Sequence, residues 1–267
     1  MIRSPAVAGQ FYPEQKNRLL AMLQSFCHDN DSKLDVPGIV SPHAGYIYSG
    51  AVAGQVFSKV TIPDKVIVLG PNHHGHGPAG AVYREGSWNT PLGKIDIDKP
   101  LADAILANCS YFTADTIAHR SEHSLEVQIP FIQYLNPAAT IVPICLGNLP
   151  LPALIESGES LAEVIAAREE PILMIASSDM THFESAADAK KKDYLALNQV
   201  EKLDAEGLYR TVRDNRISMC GVIPTVVMLA ALRKLGASNG DIVAYATSGD
   251  VTGDQSDVVG YAGVIVS

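Results

Sequence analysis

Val66–His74 reads VIVLGPNHH. Four aliphatic residues run into Gly70 and Pro71, and two histidines follow at once. The apolar part of Lys65–Gly70 is short and continuous, which predicts a strand covered on both faces of a sheet. Two further stretches have the same grammar. Val36–His43 (VPGIVSPH) ends an apolar run on His43, and Ile172–His182 (ILMIASSDMTH) ends one on Asp179 and His182. In an open α/β sheet the chemistry sits outside the carboxyl ends of the strands. Three strands that each release a His or Asp there would converge their side chains on one crevice.

Between these strands the periodicity turns helical. Helices are expected over Glu14–Cys27, Ser49–Lys59 with Ser49 as N-cap, Pro100–Asn108, Leu151–Arg168, Ala186–Asp204, Ala205–Arg213 and Pro224–Leu235. Ser121–Leu135 reads as one more, kinked or broken at Pro130. Ala139–Leu146, Ile242–Thr247 and Tyr261–Val266 complete the strands. This alternation predicts an α/β domain with helices on both faces of a sheet.

Bulk composition narrows the function. The chain has 267 residues, 47% of them hydrophobic, enough for a substantial core. Lys plus Arg number 20 against 29 Asp plus Glu, a formal charge of −9. With no basic run, nucleic acid and anionic membrane are poor partners. No apolar stretch reaches transmembrane length, and MIRSPAVAGQFYPEQ lacks the apolar core of a secretory signal. The expectation is a soluble cytoplasmic protein. Cys27, Cys109 and Cys145 lie in or beside apolar stretches and read as core thiols.

The candidate chemistry is dense around the strand ends. In Gly70–Gly77, His73, His74 and His76 crowd a glycine-rich turn. Neutral imidazole is the commonest metal ligand. Adjacent side chains in extended chain diverge, so one of His73 and His74 is expected as a ligand and the other as a supporting or acid–base group. Asp179 and His182 are three apart, and a helical turn would pair them as an oriented base. Ser121–Glu126 (SEHSLE) contributes Glu122, His123 and Glu126, as the acidic first turn of a helix. Cys220 in Ser218–Gly221 (SMCG) precedes a helix, where a thiol pKa is lowered. Two His and one anionic ligand with open positions suit non-haem Fe(II), and a related set suits zinc. Tyr46, Tyr48 and Trp88 are candidates for lining a pocket.

The segments SPHAGYIYSG, VIVLGPNHHG, SEHSLEVQIPF, VPICLG, ASSDMTHF, MCG and VGYAGVIV together resemble the MEMO family, whose prokaryotic members carry the label AmmeMemoRadiSam system protein B. That family is similar to the LigB-type class III extradiol dioxygenases. The resemblance implies a single three-layer α/β/α domain over residues 1–267. It implies His43, His73 and Cys220 as ligands of iron or copper. It also implies His123 and His182 in acid–base roles with Asp179 beside them. His74, Tyr46 and Glu122 are then supporting or substrate-facing candidates. The dioxygenases have Glu where this chain has Cys220, which argues against an unchanged ring-cleaving activity. The label implies AMMECR1-like and radical-SAM proteins as pathway partners. The residues and the resemblance leave three functions open: a metal-dependent, dioxygenase-like oxidoreductase acting on a small molecule or peptide; a non-catalytic module binding phosphotyrosine-type peptides, which the resemblance to eukaryotic relatives implies; and a zinc-dependent hydrolase.

Overall fold

The computed structural model describes residues 1–28 and 32–267. In chain order the elements begin with β1 (Ile2–Arg3), α1 (Lys16–Phe26), β2 (Gly38–Ser41), α2 (Tyr46–Lys59) and β3 (Lys65–Pro71). Then come β4 (Gly80–Val82), β5 (Ser87–Thr90), β6 (Gly93–Asp96), α3 (Lys99–Asn108) and β7 (Thr113–Ala114). A single 3-10 turn, Glu126–Gln128, leads into α4 (Ile129–Leu135), followed by β8 (Thr140–Leu146), α5 (Leu151–Ala166), β9 (Ile172–Ser177) and β10 (His182–Glu184). The chain ends with α6 (Ala186–Glu201), α7 (Ala205–Asp214), α8 (Val222–Lys234), β11 (Gly240–Thr247), α9 (Gly249–Thr252) and β12 (Val258–Val266).

A mixed sheet runs in the order β10-β12-β2-β9-β3-β8-β4-β7, with β11 also paired to β12. Its centre, β2-β9-β3-β8, is parallel throughout. The flanking strands β12 and β4 pair antiparallel to that centre. Successive strand residues face opposite sides, and here both sides are covered. Val66, Val68, Ile141, Leu173 and Ile175 face one apolar layer with Leu19 and Leu23 of α1, Val56 and Phe57 of α2, and Phe131 of α4. Ile67, Leu69, Val142, Met174 and Ala176 face the other, with residues of α3, α5, α6, α7 and α8. This central sheet flanked by helices is the α/β architecture expected. The small sheet β1-β5-β6 has no counterpart in the sequence reading.

Three local expectations are corrected. Residues 121–125 are not helical, and regular α-helix starts at Ile129, with Pro130 in the first turn where its missing N–H costs nothing. In that segment the Glu122 side chain turns inward to bind His73 and the Ser124 N–H. Ser49 is not an N-cap: α2 starts at Tyr46 behind Gly45, and the Ser49 hydroxyl donates to the Ala44 carbonyl. Residues 179–181 do not form a helical turn but lead from β9 into β10. Cys27, Cys109 and Cys145 are buried thiols, as expected. No helix among the described residues is long and apolar enough to cross a membrane.

Candidate metal centre

Strand register gathers the histidines. Ser41 at the end of β2 sits beside Ser177 at the end of β9, and Leu69 of β3 sits beside Ala176. The loops that leave these three neighbouring strand ends carry His43, Asp179 and His73. Gly70 leaves room for the turn bearing Glu122 and His123, since a Cβ there would press on Ser124 Oγ and Leu125 Cγ. The resulting group is His43, His73 and His123, each offering one ring nitrogen, all within 4.8 Å of one another. The His73 and His123 rings stack at 4.6 Å, and His43 meets both edge-on at 5.2 and 5.4 Å.

Hydrogen bonds decide which nitrogen His43 and His73 present. Ser177 Oγ donates its single hydrogen to the Ser124 carbonyl at 2.6 Å and accepts from Gln128 Nε2 at 2.8 Å. Its remaining lone pair faces His43 Nδ1 at 3.0 Å, so Nδ1 carries the proton and Nε2 the free lone pair. Burial, helped by the neighbouring His73, lowers His43 to about 3, which keeps the ring neutral. Glu122 grips His73 twice: Oε2 accepts from the backbone N–H at 2.7 Å and Oε1 from Nδ1 at 2.8 Å. The Ser124 N–H adds a third bond at 2.9 Å. Burial opposes the charge on Glu122, but the bonds from His73 and Ser124 hold its carboxyl well below the usual carboxylate range. The His73 proton is thereby fixed on Nδ1, with Nε2 left for a ligand. This carboxylate–histidine arrangement is the one that orients metal-binding imidazoles. His123 Nδ1 lies 3.6 Å from Glu122 Oε1, and its other side packs on Phe11 at 4.6 Å. Burial and the adjacent His43 lower it to about 4.

Cys220 completes the wall. Its Sγ lies 3.1 Å from His43 Nε2, the nitrogen with the lone pair, so the thiol donates there. The lowered thiol pKa expected at a helix start is not found. Burial, and then the Asp179 carboxylate beside it, push Cys220 well above its ordinary value. Asp179 Oδ1 accepts from the backbone N–H groups of His43 at 2.7 Å and Ala44 at 3.3 Å, and Oδ2 stands 4.0 Å from His43 Nε2. Burial raises the Asp179 pKa despite those bonds. His182 turns Nδ1 to the Ser218 carbonyl at 3.0 Å, which places its proton there and leaves Nε2 as a base.

The other candidates sit apart. His74 is exposed and its Nε2 faces the Ser121 carbonyl at 3.1 Å, outside the three-histidine group. Tyr46 is packed between Tyr12 and Phe131, and its hydroxyl donates to the Val127 carbonyl. Trp88 is buried beneath the Arg3 guanidinium. Glu126 is buried too, but it binds Arg3, Tyr12 and the N–H groups of Ala6 and Val7, not the histidines. Sequence reading missed the parts played by Ser177, Ser218 and Gln128. The only local sign was a pair of serines closing the β9 run.

The chain has relatives. A family model described as Memo-like protein matches residues 3–265. The chain belongs to the MEMO family. It is 42% identical to a MEMO1 family protein of Methanopyrus kandleri, covering 99% of both chains. It is also 42% identical to one of Aquifex aeolicus, covering 99% of this chain and 98% of that one. Among solved structures it is similar in fold to an uncharacterized protein, JW3007, of Escherichia coli K12. The TM-score is 0.55 at 16% identity, over 87% of this chain and 100% of the other. Within this chain the segments SPHAG, GPNHH, SEHS and SSDMTH supply His43, His73, Glu122, His123, Asp179 and His182.

Proposed function

We propose that this MEMO-family chain is a metal-dependent redox enzyme in which His43, His73 and Cys220 hold the ion. The observation that carries the reading is the pair of locked tautomers. His43 and His73 each spend Nδ1 on a buried acceptor, so both direct Nε2 towards the space shared with His123 and the Cys220 thiol. Two imidazoles and a thiolate suit a soft or borderline ion. Fe(II) is the assignment favoured by the family's resemblance to the extradiol dioxygenases, with copper and zinc as the other ions such donors accept. When bound, iron or copper supplies one-electron chemistry that no side chain here provides.

The protein residues do the rest. His182 Nε2, with its proton parked on Nδ1, accepts a proton from a substrate group at the strand ends. His123, kept neutral by burial beside His43 and His73, does the same. Asp179 holds the His43 backbone and faces its ring, so it fixes one ligand and supplies negative charge to the site. The substrate class consistent with a site bounded by these groups is a small molecule or a peptide side chain.

Metal analysis of protein purified without oxygen or chelator tests this reading, alongside Cys220→Ala and His123→Ala. Iron near one ion per chain that is lost in Cys220→Ala supports it. Retention in Cys220→Ala with loss in His123→Ala overturns the thiolate and makes the site a three-histidine one. Zinc at that level turns the reading to hydrolysis. No metal after reconstitution turns it to a peptide-binding module.

A further inference from the structure

Arg3 is only 6% exposed, and each of its three guanidinium nitrogens makes a hydrogen bond. Nε donates to the His119 carbonyl at 2.7 Å, Nη2 to the Glu122 carbonyl at 2.9 Å and Nη1 to Glu126 Oε2 at 2.6 Å. The guanidinium carbon stands 4.2 Å from the Trp88 ring centroid. All three acceptors belong to one stretch, residues 119–126, which also carries His123 and the Glu122 carboxylate. Glu122 is therefore held at both ends: its carbonyl by Arg3, its carboxylate by the backbone and ring of His73. The Arg3 arm reaches the site a second time through Phe11, whose ring lies on His123. Glu126 ties that arm down by accepting from Ala6 N, Val7 N and Tyr12 Oη.

We infer that Arg3 is a positioning residue of the histidine centre. Its planar fork clamps the 119–126 stretch so that the Glu122 carboxylate meets His73 in the one orientation that fixes the His73 proton on Nδ1. A lysine has one ammonium and no fork, so it meets Glu126 but not the two carbonyls as well. The inference rests on the proposed metal reading for its consequence, and on the hydrogen bonds alone for its structural part.

Arg3→Lys keeps a positive charge against Glu126 and gives up the carbonyl clamp; Arg3→Ala removes both. Three quantities are read: Zn(II) affinity by chelator competition, the ring 15N shifts of His73 in metal-free protein, and the melting temperature. Leu161→Ala, a buried position on the far layer of the sheet, controls for lost stability alone. The expected result is Zn(II) binding weaker by about tenfold or more in both Arg3 variants. His73 shifts should move from the Nδ1–H form towards a mixture of tautomers, and added guanidinium should restore both properties to Arg3→Ala. Leu161→Ala should keep both at a comparable melting temperature. Unchanged His73 shifts and affinity in Arg3→Lys overturn the inference, as does an equal loss in Leu161→Ala. If the wild-type protein takes no Zn(II), the metal reading is what fails, and the His73 shifts of Arg3→Lys still decide the role of Arg3.

Discussion

Glu122 and His73 are joined at two points, the carboxylate accepting both the backbone N–H and the ring Nδ1–H of the same histidine at 2.7 and 2.8 Å. Glu122 is wholly buried while the His73 side chain is 29% exposed. The carboxylate is thus the rigid member, and the ring it aims is the one that reaches outward.

Glu122→Gln puts an amide N–H against one of those two donors. The variant is expected to fold and to lose about 10- to 100-fold in metal affinity, the usual effect of removing a carboxylate behind a metal-bound histidine. Chelator competition with Zn(II) measures it. Wild-type affinity in Glu122→Gln would show that the orientation of His73 does not depend on this bond.

Metal binding through the Cys220 thiol must expel the proton it donates to His43 Nε2, because the ligand is the thiolate. His43, lowered to about 3, is already neutral at pH 7 and releases none. Calorimetry in two buffers of different ionisation enthalpy should show about one proton fewer released by Cys220→Ala than by the wild type. Equal release excludes the thiolate.

His119 gives a pH signature independent of any metal. It is buried against Tyr83 and Trp88, its Nε2–H bonded to the Ala81 carbonyl, and burial with the nearby Arg3 lowers its pKa from 6.5 to about 4. The unfolded chain therefore binds a proton below about pH 6.5 that the folded one refuses. Stability is full above that pH, falls as pH drops towards 4 and levels off beneath it. The shift corresponds to about 3 kcal/mol from this residue. Urea unfolding of His119→Gln at pH 7, 6, 5 and 4 should lose less stability than wild type over that range. Parallel curves for the two proteins would remove His119 from the account.

Gly221 sits where α8 approaches the end of β9. Its φ is −94°, which any residue can adopt, so the constraint is purely steric. A Cβ there would overlap Ser178 Cβ and the Ser177 carbonyl. Gly221→Ala must push the α8 start, and Cys220 with it, away from His43. A loss of about 1–3 kcal/mol is expected, together with weakened metal binding. Thermal unfolding that matches the wild type would show that the gap closes without cost.

The sequence shows the elements that deliver the site more clearly than the contacts that tune it. The runs before His43, His73 and Asp179 are apolar and short, and the structure makes each a parallel central strand. SEHSLE misled, because its acidic residues look like a charged first helical turn. Glu122 and Glu126 are instead both buried, and apart from the Ser124 N–H their carboxylates are satisfied by residues 49 to 123 positions away. SSDMTH misled in the same way. The spacing of Asp179 and His182 suits a helix, but Asp179 finds the His43 and Ala44 N–H groups and His182 finds Ser218.

By itself the sequence determined the α/β layering, and the strand ends as the place where the histidines, acid and cysteine gather. Those features follow from local apolar periodicity, which neighbouring residues set. Only the tertiary structure decided which ring nitrogen His43, His73 and His182 present, that the Cys220 thiol meets His43 Nε2 where burial raises its pKa, and that Arg3 backs Glu122. The Cys220–His43 pair is 177 residues apart and the Arg3–Glu122 pair 119. Their meeting depends on strand register and burial, and burial sets the protonation of the groups it encloses. Neither is written in any local stretch of chain.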